Sequence, residues 1–310
     1  MSRESEKIFR EMHKFMDAHE FDSEEEANEA LQQFIESYNA GLYNNAGGQP
    51  ETAWDYLDMA FDAASRKEAI KYAKKALEID EHCTDAEVML AELQQGDDIE
   101  KLKKKLEKII AKSEKYLTEE GYFDEDCVGD FWGILETRPY MRARYKYVSI
   151  LIAMGKYQKA KEECIELLEL NENDNMGIRY ILMGIYAHFE DELFAVRLYK
   201  QYSECSVHML LPLIVLYYKA DSYKTAEKYL RLARGDGFDN YFLDYGLDEE
   251  PDDDYDDYDD YDDMPSIDGY RIGSKAETAD AVSRCPFLYI STPGAIEWIV
   301  NKILKDYDTF

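Results

Sequence analysis

The stretch that decides the fold runs from Ala53 to Leu93, AWDYLDMAFDAASRKEAIKYAKKALEIDEHCTDAEVMLAEL. Its apolar residues recur at spacings of three and four, the period of a helix with one buried stripe. Polar turns divide it into a helix, a second helix and a third. Alanines 69, 73 and 76 put small side chains where the second helix must approach a neighbour closely, and KKALEID (Lys74–Asp80) closes that helix before a polar turn.

The same grammar returns further along. RYKYVSILIAMGKYQKAKEECIELLELNENDN (Arg144–Asn175) has Gly155 at the turn between two helices, then Tyr157, Ala160 and Cys164 at helical spacing. A weaker copy, IRYILMGIYAHFEDELFAVRLYKQY (Ile178–Tyr202), carries Ala195 at the small position, and LLPLIVLYYKADSYKTAEKYLRLA (Leu210–Ala233) carries Ala226. Ala160, Ala195 and Ala226 lie 35 and then 31 residues apart. That matches the tetratricopeptide (TPR) repeat, one helical pair every ~34 residues. DDIEKLKKKLEKIIAKSEKYL (Asp97–Leu117) reads as a long charged helix completing a degenerate repeat. A lone helical pair cannot bury its apolar face, so pairs stack, and the first helix of each pair lines a concave groove. The expected fold is therefore all-α, a TPR-like α-solenoid of stacked antiparallel helix pairs.

Four domains are expected: an N-terminal helical segment at 1–44, the repeats at 45–235, an acidic flexible loop at 236–268 and a C-terminal helical cap at 269–310. In the first segment Ile8, Met12, Phe15 and Met16 form an apolar stripe, and Ser23 with Glu26 reads as a capping box opening a second helix. Past Gly235 the helical pattern stops, and GDGFDNYFLDYGLDEEP reads as loop. In the cap, two short helices are expected, one opened by Ser274 with Glu277 and one beginning after Thr292-Pro293.

The chain holds 36 basic and 67 acidic residues, a net charge of −31. Nucleic acid and anionic membrane are poor partners for such a surface, because both require basic patches. The five scattered cysteines include no CxxC pair and read as free thiols of a reducing compartment. The amino terminus lacks an apolar signal region. The longest apolar run, MLLPLIVLYY from Met209, is about half the ~20 residues that span a bilayer. The expected location is the cytoplasm. There is no GxGxxG, Walker A or HExxH motif, and histidines and cysteines lack the paired spacings of structural zinc. No catalytic residue, metal or cofactor is expected.

Four further stretches occur in order: GDFWGILETRPYMRAR (Gly129–Arg144), NDNMGIRYILM (Asn173–Met183), GYRIGSKAET (Gly269–Thr278) and STPGAIEWI (Ser291–Ile299). With them the chain, from about Ala53 to Ile303, resembles a family of bacterial TPR-like proteins related to the animal suppression-of-tumorigenicity 7 proteins. The resemblance implies a helical, TPR-like fold and no reaction. Tyr289 departs from the family's tryptophan, and the membrane segments of the animal members do not carry over.

The candidate site residues follow from repeat position. Arg138 and Arg142, one helical turn apart, share a face, and Arg179 stands on the first helix of the next pair. Arginine forks suit carboxylates, hence an acidic peptide or C-terminus in the groove; the plainer alternative is internal pairing with Glu136 or a neighbouring helix. By analogy with TPR proteins, groove-facing places fall at Arg142, Tyr145 and Ser149, at Tyr180, Gly184 and His188, and at Leu211, Val215 and Tyr218. That set suits a protein or peptide with hydrophobic anchors. The run DDDYDDYDDYDD (Asp252–Asp263) cannot bury enough to order itself and reads as a solvated insert. Its alternative roles are binding basic proteins or cations, or folding back onto the arginine-lined groove. The functional expectation is a non-enzymatic interaction scaffold; an acidic-tract binder or a hydrolase are the alternatives.

Overall fold

Among the described residues the chain is all α-helical, with no strand element. The computed structural model describes residues 3–17, 19, 21, 23–39, 52–95, 98–245 and 270–307. The acidic run at 252–263 lies outside them. The chain divides into two compact units, Met1–Tyr147 and Val148–Phe310, with the boundary inside one helix.

The first unit contains α1 (Arg3–Asp17), α2 (Glu24–Asn39), α3 (Ala53–Phe61), α4 (Arg66–Ile79), α5 (Thr84–Gln95), α6 (Ile99–Glu119) and the start of α7 (Arg138–Ala153). Helix starts follow local chemistry. Ser23 Oγ accepts from Glu26 N as expected, at 3.2 Å. Thr52 and Asp55 form a reciprocal capping box on α3, with bonds of 2.9 and 3.2 Å. Helices α3 to α6 pack each on the next. Ala73 and Ala76 are fully buried beside Leu57, Ala86 and Leu90, which is why small residues recur on α4. The charged α6 buries Leu102, Leu106, Ile109 and Leu117 on one face, and each such leucine contributes roughly 1.5–3 kcal/mol.

The second unit contains the rest of α7, α8 (Tyr157–Leu170), α9 (Ile178–His188), α10 (Glu192–Tyr202), α11 (Val207–Lys219), α12 (Tyr223–Ala233), α13 (Asp236–Tyr245), α14 (Lys275–Arg284), α15 (Pro286–Ile290) and α16 (Pro293–Tyr307). Helices α8 to α12 again pack in sequence, and α9 also packs on α11. The three repeat alanines, Ala160, Ala195 and Ala226, are each fully buried. The apolar run from Met209 is α11, the central buried helix of this unit. Among the described residues no helix is long and apolar enough to cross a membrane.

Two expectations change. The segment after Gly235 is helix α13, not loop. Phe238 and Phe242, one turn apart, are both buried with rings 4.7 Å apart. Arg234 forks onto Asp239 in the first turn at 2.8–3.1 Å. The glycines and aspartates argued for a turn, but one buried aromatic pair outweighs them. In the cap, three helices replace two, because Cys285 and Pro286 break α15 from α14.

Candidate functional site

In the first unit the segment before α7 fixes the arginines. Thr137 Oγ1 donates to the carbonyls of Phe131 and Ile134, so the chain turns tightly into the helix. Pro139 stands in the first turn, where its missing N–H leaves nothing unsatisfied. Tyr140 is buried edge-on against Phe123 and Phe131. Arg138 is thereby held in place: its Nε donates to the Trp132 carbonyl at 2.7 Å, and its guanidinium lies 5.5 Å from the Trp132 ring centre.

Arg142, one turn on, divides its fork between two carboxylates. Nε and Nη2 donate to Asp85 of α5 at 3.1 and 2.5 Å, and Nη1 donates to Glu6 of α1 at 2.6 Å. Arg138 Nη1 lies 3.6 Å from the same Glu6 oxygen. Glu6 is only 4% exposed and sits between the two arginines. Burial would lower the Arg142 pKa, but Asp85 and Glu6 outweigh it, so the group is held more firmly charged than usual. One turn along α1 from Glu6, Arg10 reaches α3, pairing with Asp58 at 3.2 Å and lying 4.7 Å from the Trp54 ring centre. Helix α1 is thus tied to side chains of α3, α5 and α7. Tyr145 and Ser149 lie further along α7, both half-buried. Glu136 is exposed; Glu6 and Asp85 partner the arginines instead.

In the second unit Arg179 is enclosed. It donates to Asp174 at 2.8 Å, to Glu204 at 3.0 and 3.3 Å and to the Tyr180 hydroxyl at 2.6 Å. Asp174 also accepts from the backbone N–H of Ile178 and Arg179, closing the first turn of α9. Burial would raise Glu204, but its bonds from Arg179 and Ser206 pull its pKa below the ordinary glutamate value.

The other groove positions of this unit meet the chain's own C-terminal helices. Tyr180 packs on His208 with ring centres 4.5 Å apart, and His208 Nε2 pairs with Asp280 of α14 at 2.7 Å. Arg284 donates to the same Asp280 oxygen at 2.6 Å. His188 lies between Tyr157 and Phe287, at 4.6 and 5.6 Å. Tyr218 packs against Trp298 and Tyr223. Leu211 and Val215 are fully buried. A Cβ at Gly184 would fall 2.2 Å from Cys285 Sγ. The face expected to be open at α9 and α11 is therefore covered by α14, α15 and α16. Gly184 on this face admits Cys285, and Gly294 of the cap admits the Tyr218 hydroxyl, so the two surfaces pack directly.

The reactive groups of this unit are set for structure. Burial lowers the His208 pKa more than the Asp280 bond raises it, which disfavours the imidazolium. The Tyr270 hydroxyl stands 3.4–3.5 Å from the ring nitrogens, but its own ring is stacked on the imidazole, a geometry unsuited to in-plane proton transfer. Burial pushes the Cys285 thiol, and in the first unit the Cys83 thiol, up to about 12, away from nucleophilic thiolate. Among the described residues no three His, Cys, Asp or Glu side chains gather as a metal site.

The repeat positions located the arginines but not their partners. Glu6 and Asp85 were missed because each is distant in sequence. The available signal was Glu6 and Arg10 on the flank of the Ile8–Met12–Phe15 stripe, opposite charges one turn apart. No protein-family model matches this chain, and no curated protein matches it.

Proposed function

We propose that this chain belongs to the bacterial TPR-like family it resembles and works in the cytoplasm as a non-catalytic scaffold. Its ligand is a protein segment carrying a carboxylate, held on the α3–α5–α7 face by Arg138 and Arg142. The observation that carries this reading is the Glu6 carboxylate between the two guanidiniums, 2.6 Å from Arg142 and 3.6 Å from Arg138. Paired guanidinium forks are selective for planar anions. Trp54, half-buried beside Arg10 on the same face, supplies aromatic surface that anchors a bound segment. By contrast, the corresponding face of the second unit is filled by α14–α16, so that unit acts as support.

The test is affinity capture from source-cell lysate on the full-length chain, compared with a full-length Arg142→Gln chain whose helical content is intact. Glutamine still donates to Asp85 but cannot bridge to a second carboxylate. The expected result is a defined partner retained by the wild type and reduced roughly tenfold on the variant, since a charge-assisted pair contributes ~1.5–3 kcal/mol. Equal retention of every captured protein would remove the arginine face from the function.

A further inference from the structure

Helix α1 is a separate amphipathic segment lying on the face assigned above to the ligand. Its polar anchors form a short code. Glu6 enters the Arg138–Arg142 pair, and Arg10, four residues on, enters the acidic and aromatic notch of Asp58 and Trp54. The face is matched to that code: cationic at α7, anionic at α3, with the spacing of one helical turn. The last turns of α1 do something different. Phe15 packs on Phe34 of α2 with ring centres 5.3 Å apart, so the helix is fastened apolar-side to α2 and polar-side to the face.

We propose that α1 is an internal stand-in for the ligand. It closes the α3–α5–α7 face until a partner offers an amphipathic helix with the same code, a carboxylate followed four residues later by an arginine or lysine. This rests on the scaffold reading and adds two things to it: the chemistry of the partner and a built-in competitor. Tethering gives α1 an effective concentration on the order of mM, so a partner must bind tightly enough to displace it. The arrangement also rejects wrong partners. A helix lacking the acid removes the carboxylate that Arg138 and Arg142 share, and one with the charges reversed meets like charge at both ends.

The probe is a fluorescein-labelled synthetic peptide of the α1 sequence, RESEKIFREMHKFMD, followed by anisotropy on full-length protein. Two opened chains are compared with the wild type, Glu6→Lys and Arg10→Glu, so that a folding defect in one leaves the other. The expected result is binding to at least one opened chain, with the wild type at least roughly tenfold weaker because its own α1 competes. A peptide with glutamine in place of the Glu6 residue is expected to bind the opened chain roughly tenfold more weakly. Equal binding to wild-type and opened chains, or binding to neither opened chain, overturns the proposal. So does a wild-type dimer in light scattering that Glu6→Lys dissociates, which would seat α1 on a second copy. Partner capture that depends on Arg142, together with a peptide that does not bind, would leave the scaffold reading standing and remove α1 from it.

Discussion

The Arg142→Ala chain is expected to lose on the order of 3 kcal/mol of stability in its first unit, the cost of breaking a largely buried ion pair from one side. Two carboxylates share this guanidinium. Without it, among the described residues, Asp85 loses its fork and Glu6 keeps Arg138 at 3.6 Å. Both acids are shielded from water, with side-chain exposures of 11% and 6%, so neither is solvated in compensation. Arg142→Lys keeps the charge and loses the fork, and is expected to cost about half as much, because a point charge cannot hold both acids at once. Fluorine NMR of fluorotryptophan-labelled protein in a urea series separates the units, since Trp54 and Trp132 report on the first and Trp298 on the second. A lower midpoint for the first two, with Trp298 unchanged, is the expected pattern. An unchanged midpoint at Trp54 and Trp132 would mean that the Arg142 network adds nothing.

Gly237→Ala is expected to produce the complementary pattern and a comparable loss. A Cβ at Gly237 would fall 2.3 Å from the Gly273 carbonyl oxygen, 2.3 Å from the Ser274 carbonyl carbon and 2.5 Å from Lys275 N. These are backbone atoms and cannot rotate aside. Relief requires α13 to separate from the start of α14, which disturbs the Ser274–Glu277 cap as well. Forced overpacking costs ~1–3 kcal/mol where side chains can yield, so a backbone clash belongs at or above the top of that range. The midpoint read at Trp298 is expected to fall while those at Trp54 and Trp132 hold. A stable Gly237→Ala chain would show that α13 does not dock closely on α14.

The helices were legible because their signals are local. Ala160, Ala195 and Ala226 announce close helix approach through spacing alone, and all three are buried. The capping pairs at Ser23, Thr52 and Ser274 lie within four residues of their partners, so start sites also show in the sequence. What was not legible was the covering of the repeat faces. Gly184 looked like one of the groove positions; its role is to admit Cys285, about a hundred residues away. His208 pairs with Asp280, and Arg142 with Glu6, across similarly long separations. Long-range pairing leaves no periodic trace. The four stretches that carried the family resemblance become intelligible only at this level. ETRPYMR orders the turn that aims Arg138, NDNMGIRY closes the start of α9, and GYRIGSKAET brings Tyr270 and the α14 cap to His208. STPGAIEW sets Trp298 against Tyr218. The acidic run at 252–263 lies outside the described residues.

The central claim is that a carboxylate seated between Arg138 and Arg142 holds an amphipathic helix on the α3–α5–α7 face. Amide hydrogen exchange across α1, in full-length wild-type and Glu6→Lys protein, tests it most directly. Residues 3–17 are expected to be protected in the wild type and to exchange roughly tenfold or more faster in Glu6→Lys, a change of about 1.4 kcal/mol or more in local opening, while α4 and α6 are unchanged. Identical exchange of α1 in the two proteins would contradict it.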